Sequence, residues 1–156
     1  MFFKELSLDE NGVIRNPSLH DANVIGVITF ESKQALVITK LINGEIKILR
    51  LSDVILLNIN ELKEGNIILD CTVESGPSSD IEQAFEDLGI DNENDPKNYL
   101  QSLRERISNN ELKIITINPS YGCTICALCK GIEYQDAAND GSGLIAALKI
   151  WDLTTT

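Results

Sequence analysis

Val24-Ile25-Gly26-Val27-Ile28-Thr29-Phe30, then Ala35-Leu36-Val37-Ile38-Thr39-Lys40-Leu41, then Glu45-Ile46-Lys47-Ile48-Leu49-Arg50-Leu51: these three neighbouring runs decide how the chain folds. Each is rich in β-branched and aliphatic residues and is bounded by turn formers, the signature of antiparallel strands in series. Asn43-Gly44, between the second and third runs, supplies the two positive-φ positions of a type I′ hairpin, so the register of that pair is specified locally. In the third run Ile46, Ile48 and Arg50 alternate with Glu45, Lys47 and Leu49, which predicts one buried face and one mostly wet face. Such a sheet needs a cover.

Working outward, residues 54–59 and 66–74 continue the strand series, and residues 3–8 form an earlier strand. The cover is expected from two helices in the middle of the chain. Ser79-Asp80-Ile81-Glu82 fits a capping box, followed by Ile81, Ala84, Phe85 and Leu88 at helical spacing and by Gly89 as a stop. Asp95-Pro96 then reads as N-cap and first-turn proline, with Tyr99, Leu100, Leu103 and Ile107 on one stripe that ends before Asn109-Asn110.

Residues 112–118 alternate as a strand, Pro119-Ser120-Tyr121-Gly122 is turn chemistry, residues 123–134 read as one long strand, and residues 135–143 as a loop. Leu144, Ile145, Leu148 and Trp151 fit a helix face and a buried strand equally. The expected fold is α+β: a predominantly antiparallel β-sheet with two short helices inserted between strands, in a single globular domain over residues 1–156.

With 156 residues, 43% hydrophobic and 24% charged, the chain has the composition of an ordinary globular protein. Lys40, Asn43, Asp53 and Asn58 interrupt the most apolar stretch, so no run reaches the roughly 20 residues that cross a bilayer as a helix. Met1 to Leu6 lacks the basic start and apolar core of a secretory leader, which places the expected location in the cytoplasm. The formal charge of −11 disfavours nucleic acid and anionic membrane as partners and favours a basic protein. Seven basic face ten acidic residues over 1–73 and three face four over 112–156, whereas three face ten over 74–111.

That middle section holds the candidate partner-binding residues: Glu74, Asp80, Glu82, Glu86, Asp87, Asp91, Glu93 and Asp95, with no Lys or Arg among them. A solvated helix face carries such a run as readily as a docking surface does. Asp91-Asn92-Glu93-Asn94-Asp95 alternates oxygen ligands, but an EF-hand needs a central Gly and a Glu at the twelfth position, where Pro96 and Ser102 stand.

Cys123-x-x-Cys126-x-x-Cys129, with Cys71 apart, raises tetrahedral zinc. On a strand, however, Cys123 and Cys129 fall on one face and Cys126 on the other, and Ile125, Ala127 and Leu128 offer no turn to gather them. A redox pair would need the N-terminus of a helix, so buried core cysteines are the expectation. His20 is the single histidine and sits in a polar loop without a nucleophile motif nearby, and Gly141-Ser142-Gly143 lacks the Lys and Ser/Thr of a phosphate loop. These features call for no catalytic residue, metal or cofactor.

The run from Leu51-Ser52-Asp53-Val54 to Lys63-Glu64-Gly65-Asn66-Ile67-Ile68-Leu69-Asp70, the turn Asn118-Pro119-Ser120-Tyr121-Gly122 and the overall acidity together resemble small bacterial immunity proteins, the inhibitors that protect a cell from polymorphic or contact-delivered toxins. The resemblance implies a non-catalytic protein that docks on a toxin domain and occludes its site, with acidic side chains meeting a basic cleft. It transfers no functional position. The alternatives are a zinc-stabilised or redox-active cysteine protein and a structural subunit of a larger assembly; the oligomeric state stays open.

Overall fold

The computed structural model describes residues 3–77, 81–90 and 98–137. Over these residues the chain is mostly antiparallel sheet with two short helices, as its patterning predicts. The strands are β1 (Lys4–Glu5), β2 (Ser7–Leu8), β3 (Ile14–Asn16), β4 (Asn23–Phe30), β5 (Gln34–Lys40), β6 (Ile46–Ser52), β7 (Leu56–Asn60), β8 (Asn66–Glu74), β9 (Lys113–Tyr121), β10 (Thr124–Cys129) and β11 (Gly131–Ala137). Helices α1 (Glu82–Asp87) and α2 (Tyr99–Ser108) separate β8 from β9. No helix of the described residues is long and apolar enough to cross a membrane.

Nine strands hydrogen-bond in the order β1-β11-β6-β5-β4-β8-β9-β10-β7, all antiparallel, while β2 and β3 form a separate ribbon. Because β6 runs on into β7 and β10 into β11, this order closes on itself. The long ribbon 46–60 pairs with the long ribbon 124–137, first through β6 and β11 and then through β7 and β10. At the bend Lys130 N–H donates to Ser52 O (3.0 Å) and Ile55 N–H to Leu128 O (2.8 Å). Three residues (53–55) stand opposite two (129–130), so one extra residue turns the corner as a bulge does. The opposite seam is short: β4 meets β8 only through Asn23 with Ile67 and Val24 with Asn66.

Closure puts side chains from both arms into one inner core. Val37, Leu49 and Leu51 share a cluster with Ile115, Ile117, Ile125 and Ala127, all buried. This corrects the expectation that β6 has one wet face. Leu49 packs inward while Ile48 packs outward with Leu36 and Ile38, and both Leu49 and Ile48 are fully buried.

The segment read as one strand over 123–134 is two, divided at Lys130 by that same corner. Pro119, Ser120 and Tyr121, expected in a turn, extend β9, because register shifts in its pairing with β8 accommodate the proline; the turn falls at Gly122 and Cys123. Gln135 to Ala137, expected in a loop, complete β11 through pairing with β6. Residues 3–8 make two strands rather than one, β1 on the sheet edge and β2 in the ribbon with β3. Gly141-Ser142-Gly143 and the stretch from Leu144 to Trp151 lie outside the described residues.

Asn66, buried beside the short seam, ties the start of β8 to the turn that follows β9. Its side chain accepts from Lys63 N (2.9 Å) and Cys123 N (3.1 Å) and donates back to Lys63 O. Gly122 has φ +96° and lies so close that a Cβ would overlap the Asn66 side chain and come 2.9 Å from its Cα. Gly65 also has positive φ (+76°) but faces open space. Gly65→Ala is therefore expected to cost about 1–2 kcal/mol from backbone strain alone. Gly122→Ala should cost about 1–3 kcal/mol more, from strain plus overlap. Urea unfolding of the two variants reads this difference directly; equal losses would mean that the Asn66 approach relaxes freely.

Candidate partner-binding surface

Helix α1 owes its position to its apolar face. Ile81, Ala84, Phe85 and Leu88 pack with Leu100, Leu103 and Ile107 of α2 against Leu112, Ile114, Cys126 and Leu128, on the outer side of β9 and β10. The helical spacing in the sequence predicted this face, except that Tyr99 is 48% exposed and falls off the α2 stripe.

The helix starts differ from expectation. Ile81 occupies the N-cap of α1 without a side-chain cap bond, so Glu82 is the first helical residue rather than the third. The N-cap of α2 is Asn98, in left-handed conformation, rather than Asp95. Ser79, Asp80, Asp95 and Pro96 lie outside the described residues.

The predicted stop is present in full. Gly89 (φ +71°) donates to Glu86 O (2.9 Å) and Ile90 N–H to Phe85 O (3.0 Å), a Schellman closure in which Ile90 joins the same apolar cluster as Phe85. Asn110 (φ 60°) ends α2 in the same way, through Asn110 N–H to Ile107 O and Glu111 N–H to Arg106 O. Asn58 on β7 adds a side-chain bond to Asp87 O (2.6 Å), so α1 is held at its C-terminal end by the sheet.

Of the eight acidic residues singled out in the sequence, Glu82, Glu86 and Asp87 lie together on α1 and Glu74 ends β8, while Asp80, Asp91, Glu93 and Asp95 lie outside the described residues. Glu82 and Glu86 are exposed and Asp87 half-buried. Gln83 Nε2 donates to Asp87 Oδ1 (3.1 Å), fixing that carboxylate one turn on. Glu74 is half-buried with one oxygen shielded from solvent. Glu74 stands opposite Ile114 in the β8–β9 pairing, and Ile114 packs under α1, so Glu74 and Asp87 lie on the same side of the sheet.

Arg104, twenty-two positions away, forms a two-pronged ion pair with Glu82, and its hydrogen bond holds that carboxyl below the usual carboxylate range. The charge run from Glu74 to Asp95 contains no such partner, and nothing in the sequence marks one. The Glu82 charge is thus partly neutralised, leaving Glu86 and Asp87 as the carboxylates of the helix without an ion pair among the described residues.

The cysteines divide as strand alternation predicts. Cys71, Cys123 and Cys129 belong to the inner core, whereas Cys126 faces α1, touching Thr116 Oγ1 (3.6 Å) and Ala84 O (3.7 Å). No group of three metal-ligating side chains converges among the described residues. Burial raises all four thiol pKa values, Cys126 to about 11 and Cys129 to about 12. His20 is exposed and pairs with Asp21 (3.0 Å).

Comparison of the chain with protein-family models, with curated proteins and with solved structures finds no match in any of the three.

A native-state titration with a thiol-reactive disulfide at neutral pH is expected to modify none of the four cysteines, and all four after denaturation; rapid native reaction would contradict their burial. The thiol pKa values lie above the unfolded value of 9.0, so their contribution to stability is complete below pH 9 and falls as pH rises toward the folded values. In the Cys129→Ala variant the alkaline decline in stability should be shallower, whatever the substitution costs at neutral pH.

Proposed function

We propose that this protein is a non-catalytic, acidic protein-binding protein that captures a basic partner through α1, in the manner of an immunity protein neutralising a toxin domain. The observation that carries the reading is the anchoring of α1. Its apolar face and its Schellman end are fixed on the sheet while Glu86 stands exposed and Asp87 half-buried beside it, without a basic neighbour on the helix. Charges held in place before binding lose little conformational freedom on docking. A net charge of −11 accelerates encounter with a basic surface and rejects acidic ones. A nuclease-type toxin cleft, basic because it holds phosphates, is the partner chemistry that fits best.

Affinity capture from the source cells at low salt, followed by mass spectrometry, should return a stoichiometric basic protein. Its association rate should fall steeply with added salt. Glu86→Lys with Asp87→Lys should weaken capture by about tenfold or more while leaving the thermal unfolding of the domain nearly unchanged. Capture that is insensitive to salt and to these substitutions would move the reading to a subunit of an assembly joined through an apolar interface.

A further inference from the structure

Where the N-terminal strands cross the open side of the corner, they leave a crevice of about 500 Å³. Small-molecule sites have volumes of about 300–1,000 Å³ and form readily at the mouths of closed sheets. Leu6, Val73 and Ile132 give the crevice an apolar lining, and Ser52 and Lys113 add polar groups. No residue of α1 lines it, so it is distinct from the acidic surface.

Lys113 is the unusual member. In a chain with 24 acidic and 13 basic residues, an ammonium group has carboxylates in excess to pair with. Among the described residues, the basic side chains that pair with no carboxylate are Lys33, Lys40 and Lys113. Lys33 and Lys40 are exposed and satisfied by water, whereas Lys113 is half-buried and close enough to the buried Cys129 for its charge to act on that thiol. A cation drawn partly out of water without an anion is costly, and an anionic ligand offsets that cost.

The rest of the lining limits what the anion can be. Arg50 is already engaged, ion-paired with Glu133 and stacked 3.7 Å from the Phe3 ring centroid. Glu5 and Glu133 also face the crevice, and with the net charge of −11 they repel ligands that carry several negative charges. Gly131 keeps the polar end unfilled, since a Cβ there would collide with Ser52 Oγ. We propose that the crevice binds small apolar monocarboxylates, the carboxylate on Lys113 and the Ser52 hydroxyl and the aliphatic body along Leu6, Val73 and Ile132.

Octanoate, below its micellar concentration, is the probe. Calorimetric titration of the full chain should show saturable binding of one equivalent, with amide shifts concentrated at residues 50–52, 113 and 131–133. Lys113→Met should weaken binding about tenfold or more, Lys113→Arg should restore most of it, and 1-octanol should bind more weakly than octanoate. The absence of saturable binding, shifts mapping elsewhere, or unchanged affinity in Lys113→Met would each overturn the proposal. The shift map uses the unsubstituted protein, so a variant that fails to fold does not shield the proposal from test.

Discussion

The corner at Ser52 and Lys130 governs this molecule. Two long ribbons pair through it, and the backbone bonds from Lys130 to Ser52 and from Ile55 to Leu128 carry the ladder around the bend. Without that continuity the nine strands would form one open sheet with β1 and β7 as its edges. With it, the inner faces of both arms meet and a single core is buried from both sides. A sheet closed at one corner brings β4 and β8 within reach, and the two-residue seam at Asn23 and Val24 is continued by the backbone bonds Asp21 N–H to Ile68 O and Ile68 N–H to Ala22 O (2.9 Å each).

Closure also explains how an acidic chain stays folded. Several carboxylates are matched across strands, as where Asp136 binds both Lys4 and Lys47 (2.6 Å each). The Lys4 and Lys47 bonds hold the Asp136 carboxyl below its ordinary range, so its contribution is present near neutral pH and is lost as pH falls through the carboxylate range. Exposed pairs of this kind contribute little singly. They remove repulsion that a net charge of −11 would otherwise concentrate at the sheet end.

The outer side of β9 and β10 is the other organising surface. It buries the apolar stripes of α1 and α2 and in doing so converts an acidic stretch of sequence into carboxylates fixed on a rigid base. Cys126 illustrates the exchange. Its sulfur fills the interface between strand and helix, and its burial beside Asp87 and Glu74 keeps the thiol protonated and unreactive. The three-residue cysteine spacing that suggests a metal site instead sends the thiols to opposite faces, because side chains alternate along a strand: Cys129 packs inward and Cys126 outward.

The strands over residues 24–74, the apolar faces of both helices and the glycine stop at Gly89 were legible in the sequence, because each depends on periodicity or turn chemistry within a few residues; the type I′ turn expected at Asn43-Gly44 is not formed, since only Gly44 has positive φ (87°) and Leu41 N–H donates to Glu45 O across a three-residue loop. The acidity of the middle section was equally plain. The division of residues 123–134 at Lys130, the burial of Leu49 and Ile48 on opposite faces, and the extension of β9 through Pro119 were not, since each is set by a strand distant in the chain. For the candidate surface, the composition marked the acids, but the pairing of Arg104 with Glu82 and the crevice around Lys113 join residues that only closure brings together. By itself the sequence determined which segments extend, which coil and where they stop, for these follow from local backbone preference. Which faces are buried, which charges are matched and where the chain bends were decided only by the tertiary structure, because burial and Coulomb energy depend on distance in space.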